Sequence, residues 1–146
     1  MRRAATAAVL AVLAAGCGRS EGETFRADKL KPAERRLEAS QARVVATLRV
    51  VRPRRAAEAA ALRRDVTRLE GETERVALLR PPGGARPVFE RYVRALRRVT
   101  AQLRTFEAAL RRGDAEELSA LTQSVAAAVG SAQREREELE RVLLSD

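Results

Sequence analysis

The chain has 146 residues, the size of one ordinary domain, and its formal net charge is +9 at pH 7. It has no histidine, no tryptophan and a single cysteine, Cys17. This excludes an intramolecular disulfide, a metal site built from histidine or cysteine, and a histidine-based catalytic triad. Aromatic residues make up only 3% of the chain, whereas Ala, Leu, Arg and Glu are abundant, so the composition favours helices.

The N-terminus has the pattern of a secretory signal. Arg2 and Arg3 form a positive start, and residues 4–15 form an uncharged, mostly apolar run. This run is shorter than the roughly 20 residues that a membrane-spanning helix needs, and it suits the apolar region of a signal peptide. The sequence therefore predicts a signal peptide over residues 1–16.

The end of this segment resembles the lipobox of bacterial lipoproteins, with the sequence Leu13-Ala14-Ala15-Gly16-Cys17. The resemblance implies that Cys17 carries lipid (palmitate among its acyl chains) and becomes the mature N-terminus. It places the protein in the bacterial cell envelope, and either the plasma membrane or the outer membrane could hold it. An ordinary secretory signal with an incidental cysteine is the alternative.

Residues 17–28 are predicted to be the lipidated N-terminus and a flexible linker, because Gly18, Ser20 and Gly22 alternate with charged residues. A flexible linker of this length has an average span of roughly 18 Å. A helical bundle domain is expected over residues 29–146.

The first two of four amphipathic helices are separated by Pro53. The first is predicted from about Pro32, which suits a first helical turn, to Val51. Pro53 indicates either a turn or a kink in a continuous helix. The second helix is predicted from about Arg54 to Leu79, and Gly71 inside it marks either a close helix approach or a local bend. Its apolar stripe consists of Leu62, Val66, Leu69 and Val76.

The other two helices follow a predicted turn at residues 81–84, whose sequence is Pro-Pro-Gly-Gly. The third helix starts near Pro87 and ends at Gly113. The fourth runs over residues 115–143, with Asp114 and Glu117 spaced as a capping box. The third helix has a heptad-like apolar seam of Phe89, Tyr92 or Val93, Leu96, Val99, Leu103, Phe106 and Leu110. The fourth continues the pattern with Leu118, Leu121, Val125, Ala128, Ala132, Leu139 and Val142.

Four such helices joined by short turns predict an all-α fold, an antiparallel up-down-up-down four-helix bundle. An extended coiled coil that completes its core by oligomerising is the rival arrangement. The sequence leaves open whether the protein is a monomer or a homo-oligomer.

A second resemblance rests on the punctuation of the C-terminal half. The stretch Leu78-Leu79-Arg80-Pro81-Pro82, an Arg- and Ala-rich helix, and then Ala109-Leu110-Arg111-Arg112-Gly113-Asp114 resemble a group of functionally uncharacterised helical lipoproteins of high-GC bacteria. The resemblance implies the four-helix architecture. It implies no catalytic or binding residue.

Charge is unevenly distributed along the chain. Residues 26–112 hold 23 basic and 10 acidic side chains, a net charge of +13, whereas residues 113–146 hold 3 and 8, a net charge of −5. The densest basic cluster, which flanks Pro53, is formed by Arg49, Arg52, Arg54 and Arg55. We expect it to be a surface for an anionic partner, either anionic phospholipid or an anionic wall polymer. The alternative is that the arginines are solvated or pair with glutamates on their own helix.

The sequence predicts no enzyme, no metal and no cofactor. Ser40, Ser119, Ser124 and Thr100 have no histidine to activate them, and Glu70 and Glu74 suggest a surface row. Nucleic acid is not expected, because aromatic residues for base stacking are missing from the basic stretches. We therefore expect a lipid-anchored, non-catalytic interaction or structural module that binds an envelope component. The alternative is a ligand-binding or chaperone-like lipoprotein with an apolar groove between helices.

Overall fold

The structure is a computed structural model that describes residues 19–53 and 55–145. The predicted signal peptide, Cys17, Arg54 and Asp146 lie outside the described residues. All regular secondary structure within the described ranges is helical, which confirms the predicted all-α class.

The first helix, α1, is continuous over residues 21–50 and has three parts. It consists of an α-helical turn at Glu21–Phe25, a π-helical turn at Arg26–Leu30 and a longer α-helix at Lys31–Val50. Ser20 caps its start in a full capping box: the Ser20 Oγ accepts a hydrogen bond from the Glu23 amide at 3.1 Å. The Glu23 carboxylate accepts one from the Ser20 amide at 3.2 Å in return.

The prediction of a flexible linker is wrong for residues 21–28, which are helical and partly buried. Phe25 and Leu30 are both in the core, and the Phe25 ring meets Phe89 edge-on at 6.1 Å between centroids. Phe25 and Leu30 are five positions apart, a spacing that does not fit one face of an α-helix. The π-helical turn between them, with bonds from residue i to i+5, returns both side chains to the same face.

Pro32 lies inside α1, although the sequence placed it at the start of a helix. A proline in a helix interior lacks an amide hydrogen and collides with the carbonyl four residues earlier. The π-helical turn directly before it is wider than an α-helical turn. We infer that this turn accommodates the proline ring, so that the helix continues.

Pro53 lies in a turn, which resolves the alternative that the sequence left open. The backbone of Val51 is extended, with ψ of 138°. The next helix, α2, spans Ala56–Ala77 and so begins three residues after Pro53. Arg52, which precedes the proline, is therefore outside both helices, as the steric restriction before proline requires.

The second half of the bundle consists of a short 3₁₀-helix at Gly83–Ala85, helix α3 at Arg86–Arg112 and helix α4 at Ala115–Ser145. Gly113 ends α3 with a positive φ of 73°, a left-handed conformation that favours glycine. The Asp114 Oδ1 accepts a hydrogen bond from the Glu117 amide at 3.0 Å. This is one half of the predicted capping box, because the Glu117 side chain pairs with Arg112 instead.

The four helices pack in chain order, α1 on α2, α2 on α3 and α3 on α4, and the first turn of α1 closes against α4. The predicted seams form the core: Leu62, Val66, Leu69 and Val76 of α2 are buried, as is every predicted α3 position except the partly buried Phe106. In α4, the predicted Ala128, Ala132 and Leu139 are buried, together with Leu143, whereas the predicted Leu118, Leu121, Val125 and Val142 are only partly buried.

The bundle has two ends, a base and a tip. The base comprises residues 19–22, 78–85 and 143–145, where α1 starts, α2 connects to α3 and α4 ends. The tip comprises residues 49–56 and 112–115, at the two other connections. Because α1 spans 30 residues, these ends are about 45 Å apart at a rise of about 1.5 Å per residue.

The close helix approach occurs at Gly22, not at Gly71. A Cβ at position 22 would collide with the Leu143 carbonyl of α4, whereas a Cβ at position 71 would meet no atom within 4 Å. Gly130, in the alanine-rich part of α4, would meet only the Arg134 side chain, at 3.6 Å.

Candidate interaction surfaces

The predicted arginine cluster lies at the tip, in and around the turn between α1 and α2. The side chains of Arg49, Arg52 and Arg55 are exposed; Arg54 is outside the described residues. Glu58 of α2 holds the turn, since its side-chain carboxylate accepts a hydrogen bond from the backbone amide of Arg52. Three exposed arginines therefore lie within seven residues of the chain, at and around this turn.

These three arginines differ from most others in the bundle. No ion pair joins their side chains to a carboxylate in the part of the chain that the structure describes. Twelve other arginines do form such pairs: Arg26, Arg36, Arg63, Arg75, Arg86, Arg91, Arg97, Arg104, Arg111, Arg112, Arg136 and Arg141. Twelve arginines are therefore paired within the fold. The tip cluster is not, and neither are nine other exposed arginines of the described residues, which are more widely spaced along the chain.

Many of the paired arginines link different helices rather than neighbours on one helix. Arg97 makes a two-pronged contact with Glu74, at 2.8 and 2.6 Å, and Arg104 makes one with Glu70, at 2.7 and 2.5 Å. Both join α3 to α2, and the hydrogen bonds from Arg97 lower the pKa of Glu74. Glu70 and Glu74, predicted as a surface row, thus form ion pairs that link α2 to α3.

The acidic α4 partly neutralises its basic neighbours, as its charge predicted. Arg91 of α3 contacts Glu135 at 3.0 Å, and Arg26 of α1 contacts Glu140 at 3.6 Å. Glu135, which falls on the predicted apolar seam, therefore lies at the edge of the α3–α4 interface with an ion-pair partner.

The most unusual polar group in the interior is Glu34 of α1, whose side chain is only 5% exposed. Its Oε1 lies 3.0 Å from the Nε of Arg136 on α4 and accepts a hydrogen bond from the Tyr92 hydroxyl of α3 at 3.4 Å. Arg136 also reaches Glu38 at 3.3 Å. One carboxylate thus joins three helices.

Burial raises the pKa of Glu34 above the ordinary value of 4.5, and the neighbouring Arg136 only partly opposes this. Burial also raises the pKa of Tyr92, so this hydroxyl remains a proton donor. The three side chains line a cavity of about 90 Å³ between α1, α3 and α4. A second carboxylate, that of Glu38, also lines the cavity and shares Arg136 with Glu34, so the cluster ties α1 to α3 and α4 through one arginine and two acids.

Sequence reasoning missed Glu34, although a signal was present. It lies three residues before Leu37 and four after Leu30, which are both fully or nearly fully buried, so it belongs to the apolar face of α1. Its neighbours in the chain, Arg35 and Arg36, are exposed. The structure pairs it with Arg136 instead, about 100 residues later in the chain.

A second buried carboxylate, Glu107 of α3, lies four residues after Leu103 and is likewise 5% exposed. It contacts Arg63 of α2 at 3.3 Å and Arg111 of its own helix at 3.1 Å. Both arginines keep about half of their side-chain surface in solvent. Glu107 is therefore a paired charge at the edge of the α2–α3 interface.

An apolar groove opens near the tip between α1, α3 and α4. Its volume is about 200 Å³, and it is lined by Leu48, Leu103, Phe106, Thr122 and Val125. The predicted seams of three helices meet here, but α1 and α4 do not close over them as they do at the base.

Among the described residues, no three His, Cys, Asp or Glu side chains gather in an arrangement that could hold a metal ion. No helix in the described ranges is long and apolar enough to cross a membrane.

Comparison of the chain with known protein families, with curated proteins and with solved structures finds no match.

Proposed function

We propose that the protein is a lipid-anchored, non-catalytic interaction module of the bacterial cell envelope, attached through Cys17 and binding an anionic partner at its tip. The observation that carries the proposal is the tip cluster of Arg49, Arg52 and Arg55. These exposed residues lie within seven positions of the chain, and no carboxylate of the described residues pairs with them, unlike twelve other arginines.

The position of the cluster favours a wall polymer over the anchoring membrane as its partner. Residues close to Cys17 begin the base, and the tip is about 45 Å from it along α1. Attraction between surface charges is screened within about 10 Å at ordinary salt, so a tip held upright would feel little of the lipid charge. A polymer of repeated phosphodiester groups extends away from a membrane and can reach it.

The test is binding of the mature lipidated protein in detergent micelles to a poly(glycerol phosphate) polymer. A variant with Arg49, Arg52 and Arg55 all changed to Gln should bind at least about tenfold more weakly, with a shallower dependence on salt. The matched control changes Arg35, Arg43 and Arg64 to Gln. These arginines are also exposed and removing them lowers the charge equally, but they lie away from the tip.

Equal losses in the two variants would mean that net charge alone attracts the polymer, and the tip would not be the site. Binding to phosphatidylglycerol vesicles through the same three arginines, with none to the polymer, would make anionic lipid the partner of the tip instead.

The apolar groove near the tip favours a second candidate function, a ligand-binding or chaperone-like role. Its volume of about 200 Å³ is below the roughly 300–1,000 Å³ of typical ligand pockets, so it suits a small apolar group such as one end of an acyl chain or one side chain. Native mass spectrometry of the lipidated protein tests this. A stoichiometric apolar ligand that is lost on Val125→Asp substitution would support it.

A further inference from the structure

We propose that the base of the bundle docks directly on the phospholipid surface, so that the bundle stands upright with its tip facing away. This inference rests on the proposed lipidation of Cys17. It adds a specific lipid-contacting surface and an orientation to the anchor.

The tether between Cys17 and the bundle is short. Ser20 is the N-cap of α1, and its capping box is complete. Only three peptide steps separate it from Cys17, and even a fully extended chain spans at most about 3.6 Å per residue. The start of α1 is therefore within about 11 Å of a lipidated Cys17, whereas a flexible linker up to residue 28 would have allowed the domain to move freely.

The base exposes two large aliphatic side chains. Leu78, directly after α2, is 75% exposed, and Leu144, at the end of α4, is 55% exposed. Both belong to the end of the bundle that the tether holds against lipid. Large aliphatic side chains in this position gain free energy by entering the boundary between headgroups and acyl chains.

A recess opens at the same end of the bundle. Its volume is about 420 Å³, and the charged side chains of Arg19, Lys29, Arg80, Glu21 and Asp28 line it together with the apolar Phe25, Pro81 and Pro82. The cations can contact lipid phosphates, but the two carboxylates leave little excess charge. Contact at the base should therefore depend mainly on apolar burial and only weakly on salt, in contrast to binding at the arginine-rich tip.

The experiment uses the mature lipidated protein in phosphatidylcholine vesicles that contain phosphatidylglycerol. Cys17 is the only cysteine and is blocked by lipid, so a single introduced cysteine can take an environment-sensitive fluorophore. Gly83→Cys places the label at the base in open space, and Val50→Cys places it at the tip, where the valine is 67% exposed. Lipids with a nitroxide on the headgroup then report proximity by quenching.

We expect the label at position 83 to be quenched several-fold more strongly than the label at position 50, at both low and high salt. Changing Leu78 and Leu144 to Ser in the Gly83→Cys protein should reduce that quenching, whereas the distant substitution Ala120→Ser should not. Circular dichroism of each variant checks that the bundle remains folded.

The outcomes separate this inference from the proposed anchor. Equal quenching at positions 50 and 83 would show a bundle lying flat, and quenching at neither would show one held off the surface; either overturns base docking while the anchor stands. Mass spectrometry showing no lipid on Cys17 would overturn the anchor and, with it, the inference.

Discussion

Gly22, at the start of α1, packs directly against the carbonyl of Leu143, at the end of α4. No side chain fits between them, since a Cβ at position 22 would also lie only 3.1 Å from the Leu143 carbonyl carbon. This contact joins the first and last helices at the base. The π-helical turn that follows brings Phe25 and Leu30 onto the same face of α1, where both are buried.

Gly22→Ala should therefore destabilise the bundle by about 1–3 kcal/mol, the usual cost of forcing an extra methyl group into a packed site. Backbone at both positions would have to separate, because the colliding atom is a carbonyl oxygen and not a flexible side chain. Urea denaturation followed by circular dichroism at 222 nm measures the effect.

Gly71→Ala is the matched control within α2. It fills open space in a helix interior and should stabilise the protein by about 1 kcal/mol, because alanine has a higher helix propensity than glycine. If both substitutions shift stability in the same direction, α1 does not close on α4 at Gly22.

The Glu34→Gln variant should be more stable than the wild type at neutral pH. The difference between their free energies of unfolding should grow as pH rises from about 4.5 towards neutrality. Burial raises the pKa of Glu34 in the folded state, so the stability contributed by its protonated form is present below the unfolded value. That contribution is lost as pH rises through the folded pKa. Gln keeps the shape without the charge, and urea titrations at a series of pH values measure the difference.

Glu137→Gln provides the control for this pH dependence, since it removes one exposed carboxylate of α4. Glu38 would not serve, because its charge also raises the pKa of Glu34. A pH-dependent gain found in Glu34→Gln and absent from Glu137→Gln belongs to the buried carboxylate. A flat difference between Glu34→Gln and the wild type across this pH range would mean that Glu34 is hydrated in the folded protein.

Arg136→Gln should destabilise the protein at neutral pH by on the order of 2 kcal/mol, because it leaves the carboxylate of Glu34 buried without its counter-ion. The loss should be smaller in acid, where Glu34 is protonated. Adding Glu34→Gln should recover most of the loss, and Arg134→Gln, at an exposed neighbour, should have little effect. Without recovery in the double variant, the role of Arg136 would have to be packing.

Leu103→Asp should unfold the bundle. Leu103 is 3% exposed in the centre of the α3 seam, and a carboxylate there has no partner to offset its desolvation. Ala120→Asp, on the exposed face of α4, should leave the helical circular dichroism signal unchanged. Full helicity of the Leu103→Asp protein would place this residue outside the core.

The apolar periodicity was sufficient to predict α2, α3 and α4 to within a few residues, because those helices have regular seams and clear ends. The start of α1 was not predicted. Ser20 and Glu23 are a recognisable capping box, but the five-residue spacing from Phe25 to Leu30 conceals the helix from a search for spacings of three and four. Pro32 then suggested a helix start within what is a continuous helix.

The candidate site was partly predictable for a related reason. The arginine cluster beside Pro53 is local in sequence, and its exposure follows from its place in a turn. That Arg49, Arg52 and Arg55 lack ion-pair partners among the described residues depends on where the carboxylates of other helices lie. The partnership of Glu34 with Arg136 joins residues that only packing brings together.

By itself, the sequence determined the helical class, the number of helices and most of their boundaries, because these depend on periodicity and on glycine and proline at their ends. It also determined the asymmetry of charge between residues 26–112 and 113–146. Only the tertiary structure decided which arginines pair with carboxylates of other helices and how α1 closes on α4 at Gly22. Each of these depends on distances between segments far apart in the chain, which no local pattern encodes.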